Sequence, residues 1–492
     1  MPFFDFLLKR FSVSQLFFFA VCIRLVAVIF SKGFGFSDDH FETVALADEF
    51  LLHKTAVWPK GEIYLFSLIY PWAHAIIMGF LEFLGFDHPQ TQMFWLRMFH
   101  AVLNLLMING AGKLAKIHFG EQGQKLAVLI LGFFWMMPFM GVRSLREMAC
   151  MPFVVWAFYF LEKQNRDNKD LFFAGFLMAM AFVMRIQTAF IPLGVGLFMM
   201  FIKEWKSLFF LGFFTLLSLG ATQVLFDFVY WGDPLGSVKA YVEYNLTHSG
   251  FYPNGPWYMY VLTVLGFCIP LFSGFLLWGF LKAKNTLPYT FWASVSFFAF
   301  HSYFPNKQER FILPFIVLFL LLGILGVWNN KEKMSAFWTK TLNISVWVFW
   351  VLNTVALLLI STTYSKKSRV EAMGHFFEKE IGSVVMCTKT ELPMQPHFYH
   401  RKPKELFKTI DLSKDDKELL KELVESSPRV THMLFTGNIG LEETIARMNK
   451  LGFDCGIEKS YEPSFVDNIA FLLNPKHNTN EVWTVCYLNQ KY

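Results

Sequence analysis

Between residues 15 and 362 the chain returns again and again to apolar runs of membrane-crossing or near-crossing length. They lie near 15–33, 92–112, 124–142, 148–162, 171–187, 188–203, 207–229, 257–281, 287–303, 311–328 and 342–362. A span needs about 20 predominantly apolar residues, and the shorter runs are accommodated by thinning or by burial against neighbours. With 54% of the chain hydrophobic and 61 phenylalanines, no soluble core could hide the surface these runs carry. The expected fold is an α-helical polytopic membrane protein of about eleven spans, occupying residues 1–364.

Charged residues, 17% of the total, fall in bursts between the runs. Lysine and arginine favour short cytoplasmic loops. With Lys9 and Arg10 inside, the stretches "GKLAKIHFGEQGQK", "EKQNRDNKD", "KEWK", "LKAK" and "NNKEKMSAFWTK" all fall inside, provided that 64–85 does not cross. The reading is therefore that 64–85 is re-entrant or interfacial, broken by Pro71, and that 40–54 is a helix lying in the interface. The first run, lacking a small-residue cleavage site, reads as a signal anchor. Residues 34–91 form the first outer loop, and residues 365–492, rich in charge with short β-prone runs, a soluble α/β domain on the same outer face. The net charge of +6 reflects orientation and gives no reason to invoke nucleic acid. Of six cysteines, Cys387, Cys455 and Cys486 lie in the tail, an odd number that permits at most one disulfide there, and no spacing suggests zinc.

Under this orientation, ionisable residues that the inside bias does not explain gather on the outer face. "FGFSDDHFET" (34–43) brings Asp38, Asp39, His40 and Glu42 just beyond the first run. Arg97, Arg143, Arg146, Glu147, Arg185, Lys307, Glu309 and Arg310 follow at later span ends. Such residues are costly at a membrane and mark pairing or pathway. A sugar carried on a polyprenyl phosphate would use this set. A carboxylate takes the acceptor proton, and cations meet the charge growing on the departing phosphate. Arginine suits that task through its planar fork of donors.

Five stretches, spread in order over residues 15 to about 330, resemble the GT-C glycosyltransferases, in particular the family 22 mannosyltransferases of the N-glycan and GPI-anchor pathways. "SDDHFE" resembles the family's P-D-E-x-F-Q, with Ser37 for its proline and Asp39 for its glutamate. "GVRSLRE" (141–147) resembles R-T-L-S-N-x-x-E, and "VMRIQTAFIPL" (183–193) resembles x-R-P-T-x. "SYFPNKQERFILP" (302–314) resembles H-K-E-x-R-F-x-x-P, with Asn306 for the histidine and Gln308 for the glutamate. "EYNLTHSGFYPNGPWYMY" (243–260) is similar to the family's long loop with its Y-N and P-W-x-x-Y elements.

The resemblance implies an integral-membrane hexosyltransferase of a divergent or bacterial kind. It would move a mannose-like sugar from a polyprenyl-phosphate donor to a glycan or glycolipid hydroxyl, with inversion. Asp38, on the family's Asp position, is then the expected base and Asp39 the alternative. Arg143, Arg185, Lys307 and Arg310 would bind the donor phosphate, and His40, Glu42, Arg97, Asn245, Trp257 and Tyr258 the substrates. No cofactor is expected, and divalent metal is the disfavoured alternative, since few acids join the Asp pair and His40. The membrane is a bacterial inner membrane or the ER, with the site facing periplasm or lumen.

Plainer readings compete. Asp38 and Asp39 could cap the following helix. The arginines could snorkel, and Trp257 and Tyr258 could be an interfacial aromatic belt. The rival function is a secondary transporter or flippase, which predicts internal repeats and broken helices at matching places in two halves. A sensor or scaffold predicts an ordinary membrane region.

Overall fold

The structure is a computed structural model. It describes residues 2–52, 63–248, 250, 254–389, 395–426, 430–437, 440–475, 478 and 480–488. The chain divides into two compact units. The first comprises 1–28, 50–76 and 96–361; the second comprises 29–49, 77–95 and 362–492. Segments of the first outer loop thus pack with the tail, a distribution that differs from the contiguous split at 364 drawn from the sequence.

The first unit is helical. Every apolar window coincides with one or more helices, because runs this apolar can satisfy their backbone only by internal hydrogen bonding. Among the described residues, four are long and apolar enough to cross a membrane: Val13–Phe30, Trp205–Trp231, Glu309–Lys333 and Ala336–Ser361. The pair Met259–Phe267 and Phe272–Ala283, bent by 112°, would make a fifth. Other windows give shorter helices, such as Met151–Leu161 and Phe190–Phe201. Gly120, at φ 62° and ψ −158°, breaks the 45-residue stretch Pro89–Phe133 into two helices. Pro71 does not break 64–85. It sits in the first turn of the helix Ile69–Phe83, where its missing N–H costs nothing.

The most apolar of these helices is not the most lipid-exposed. The window in Glu309–Lys333 is 89% buried, whereas that in Trp205–Trp231 is 17% buried and turns Phe209, Leu216 and Val229 outward. The helices Phe272–Ala283 and Leu313–Asn330 cross at glycines. A Cβ on Gly326 would lie 1.9 Å from the Gly279 carbonyl oxygen, and one on Gly279 would lie 2.1 Å from that of Gly323. Small residues permit this backbone approach where lipid supplies no hydrophobic drive between helices. Arg24, inside the first span and fully buried, is spent within the bundle, donating to Asn104 Oδ1 at 3.0 Å and to the carbonyls of Leu131 and Gly132.

The second unit holds a five-stranded sheet of β1 (Ser383–Thr388), β2 (Phe407–Asp411), β3 (Val430–Thr436), β4 (Cys455–Tyr461) and β5 (Trp483–Leu488). Their order is β2-β1-β3-β5-β4, with β1 parallel to both neighbours and β5 antiparallel to both of its own. β1 is buried along its whole length, as an apolar central strand requires. The edge strand β4 exposes Glu458 and Lys459, charges that discourage further pairing. The helices Asp416–Ser426 and Leu441–Lys450 supply Leu419, Leu423 and Met448 to a core that also holds Cys387, Cys455 and Cys486. All six cysteines are free thiols.

The start of the tail is tied to the end of the first span. Gly33 bridges Ser365 in parallel, and the Ser365 N–H donates to the Lys32 carbonyl at 3.1 Å.

Candidate functional site

Ser37 to Leu52, all but the last three residues in the second unit, follow one helical path: a turn at Ser37–Asp39, a wide π turn at His40–Val44, and the helix Ala45–Leu52. π turns recur at functional sites because they shift side chains off the regular helical face. At the start of the π turn Asp39 makes no side-chain cap among the described residues. Instead Asp39, 4% exposed, accepts the Gly35 N–H on Oδ2 at 3.1 Å, while Asp38 and Glu42 are half-buried.

His40 is 1% exposed and stacked between two rings, Phe34 at 4.9 Å and Tyr399 at 5.4 Å between centroids. Neither of its nitrogens has a hydrogen-bond partner among the described residues. Burial, with the charge of His397, pushes its pKa down to about 3, so the ring is neutral. Expected at the substrate, His40 is placed as the middle layer of a stack.

In the first unit the cationic motifs converge. Arg185 ends the helix Asn168–Met184 in extended geometry (φ −153°, ψ 109°), and its carbonyl accepts from the Thr188 N–H and hydroxyl. Its guanidinium forms an ion pair with Glu147 of the turn Arg146–Ala149, both about 95% buried. The charges of Arg185 and Arg310 both act on Glu147, and the two guanidinium carbons lie 5.3 Å each from the Phe311 ring. Arg310 Nε donates to Gln308 Oε1 at 2.9 Å. The Arg185 atoms Nε and Nη2 are buried without a hydrogen-bond partner among the described residues. Buried donors left unmade are expensive, so this pair is suited to an arriving anion.

Around them stand two residues outside the motifs. His301, close to Arg185, bonds the Phe297 carbonyl through Nδ1 at 2.8 Å. Tyr241, near enough to Arg185 and Glu147 for their charges to act on its phenol, packs against the Phe66 ring at 5.7 Å between centroids.

The surroundings of the remaining expected residues differ from one to the next. Arg143, 2% exposed, packs 4.4 Å over the Phe139 ring. Arg146 donates to the Tyr64 hydroxyl at 3.1 Å and covers Phe66 at 4.1 Å, leaving Glu147 to Arg185. Arg97 donates through Nε to the Val28 carbonyl at 2.8 Å, near the end of the first helix. Lys307 is expected at the donor phosphate, yet its ammonium donates to the carbonyls of His301 (2.7 Å), Ser302 (2.8 Å) and Phe304. An ammonium has three donors, and all three close the end of the helix Pro288–Tyr303. Asn245 Nδ2 bonds the Tyr241 carbonyl at 2.8 Å inside the helix Gly236–His248. Trp257 and Tyr258 are 69% and 48% exposed, directly before the helix Met259–Phe267. Among the described residues no three His, Cys, Asp or Glu side chains gather as metal ligands.

A helical membrane unit joined to a small α/β unit, with a buried arginine–glutamate centre among its span ends, has the GT-C fold. It is similar to ArnT from Cupriavidus metallidurans bound to undecaprenyl phosphate (TM-score 0.64, 11% identity, 95% of this chain and 96% of that one). It is also similar to the Archaeoglobus fulgidus oligosaccharyltransferase tethered with an acceptor peptide (TM-score 0.53, 10% identity, 87% and 69%). The chain belongs to the Alg9-like mannosyltransferase family, whose model matches residues 15–390. GPI mannosyltransferase 3 of Candida glabrata is 27% identical over 264 residues, covering 49% of this chain and 41% of that protein.

Proposed function

We propose that this multi-pass membrane protein transfers a mannose-like sugar from a polyprenyl-phosphate donor to a hydroxyl of a glycan or glycolipid acceptor. The observation that carries the reading is the Arg185 guanidinium, buried against Glu147 with two nitrogens lacking a hydrogen-bond partner among the described residues. Family membership supports the sugar class, and the fold neighbour bound to undecaprenyl phosphate is consistent with a lipid-phosphate donor.

The transfer is a single inverting displacement. The acceptor oxygen forms its bond to C1 as the C1–O bond to phosphate breaks, and the acceptor proton passes to Asp38. The electron pair leaves with the polyprenyl phosphate, whose charge Arg185, Arg310 and Arg143 receive. Asp39, engaged with the Gly35 amide, orients the turn beside Asp38. Lys307, spent on carbonyls, is left out of the phosphate set. No cofactor enters the scheme. The reaction faces the periplasm or the ER lumen, the side that the loop-charge bias favours.

The test is transfer from a radiolabelled polyprenyl-phosphate mannose, assayed in EDTA. Asp38→Asn should lower kcat by roughly 10²–10⁴ with donor KM little changed. Full activity in the Asp38→Asn, Asp39→Asn double variant would refute the base. Uptake driven by an ion gradient in place of transfer would favour the transporter.

A further inference from the structure

Within the second unit, the loop 397–404 of the tail grips the segment that carries the acidic pair. Arg401 reaches Asp48 Oδ1 at 2.7 Å, Glu82 Oε1 at 2.7 Å, Gln92 Oε1 at 2.8 Å and the Asp87 carbonyl at 3.1 Å. One guanidinium thereby ties together the helix Ala45–Leu52, the end of Ile69–Phe83 and the start of Pro89–Phe133. Arg401 does this from the left-handed backbone region, φ 49°, which a residue with a Cβ holds only where its surroundings over-determine it. Two residues earlier, Tyr399 stacks on His40 at an interplanar angle of 10°, and His40 on Phe34 at 17°. Lys366 Nζ lies 5.7 Å from the Phe34 ring, and Lys404 pairs with Glu49. The neutral, buried His40 imidazole has no hydrogen bond among the described residues to orient it, so the stack does.

We propose that Tyr399 and Arg401 are positioning residues for the transfer: the tail clamps the helical turn that presents Asp38 and Asp39. The tail is then a working part of the enzyme. A general base must be held within hydrogen-bond reach of its proton, and a 1 Å misplacement costs about 10²-fold. The clamp rests on the reading of the acidic pair as the base, and its test separates the two.

In the full-length protein, Arg401→Met and Tyr399→Ala should each lower kcat at least about tenfold, with KM for polyprenyl-phosphate mannose within about twofold of the parent. Amide hydrogen exchange should quicken over residues 35–48 and stay unchanged in β1 and β3. Tyr399→Phe, which keeps the stack, should restore both. If Arg401→Met is not recovered folded, the Tyr399→Ala and Tyr399→Phe pair decides alone. Faster exchange with kcat intact, unchanged exchange, or a loss confined to donor KM overturns the clamp, even where Asp38→Asn is inactive. Activity that survives in the Asp38→Asn, Asp39→Asn protein overturns the base, while exchange over 35–48 still reports the grip.

Discussion

Asp48 shows how one residue can be paired and still be costly. Its carboxylate meets Arg401 at 2.7 Å, yet burial pushes its pKa from 3.8 up to about 6, outweighing Arg401, with Glu82 and Glu49 adding repulsion. An acid whose pKa is raised by folding holds its proton more tightly in the native state. Between about pH 4 and pH 6 the folded chain therefore binds more protons than the unfolded one, and stability falls as pH rises through that window. The shift corresponds to an order of 2–3 kcal/mol, absent below pH 4 and fully felt above pH 6. Asp48→Asn, whose amide oxygen still accepts from Arg401, should flatten this component. Melting temperatures of parent and variant in detergent between pH 4 and pH 8 would show it; parallel curves would contradict it. Arg185 is the complementary case, a buried cation with one acid and two nitrogens lacking a hydrogen-bond partner among the described residues, where an anion gains most because the donors are already desolvated.

At the scale of elements, the ends of helices carry the chemistry. Arg185 closes one helix and Glu147 lies in the short turn before another, so both stand where backbone direction changes. Lys307 uses its charge to satisfy the last carbonyls of Pro288–Tyr303, which have no intrahelical partner. Cations at a helix C-terminus are further favoured by its dipole. Lys307→Met should therefore lower stability by about 1–3 kcal/mol through loss of charge-assisted bonds. Donor KM should shift little, since the ammonium is committed elsewhere. A large rise in donor KM at unchanged melting temperature would return Lys307 to the phosphate.

For the molecule as a whole, orientation is the property that the helices alone leave open. The proposal places the Lys-rich loops, 113–125 among them, on the cytoplasmic side. A single cysteine introduced at Gln122, in a background lacking native thiols, should react with a membrane-impermeant maleimide only after the inner face is opened. One introduced at Lys417 in the tail should react from the outer face directly. The opposite pattern would invert the proposed site. The two compact units, the first interrupted twice along the chain by segments of the second, also mean that truncating the tail would strip Asp48 of Arg401, so such a protein tests more than the tail.

Hydropathy alone located the helices of the first unit, because apolar runs in lipid have few ways to satisfy their backbone. The tail was equally readable as an α/β unit from alternating apolar and charged stretches. The motifs marked Arg185, Arg310 and the acidic pair by local pattern. What sequence did not carry was partner choice. Arg401 and Asp48 stand 353 positions apart, and no periodicity links them. Lys307 looked like Arg310, three residues on, until folding brought three carbonyls to it. Likewise, nothing in "FYHRK" or "DDHFE" announces a stacked Tyr399 and His40. Local hydrophobicity determines which segments become helix, strand or loop. Which buried charges meet is decided only when desolvation forces each polar group to find its acceptor, and that search runs over the entire folded chain.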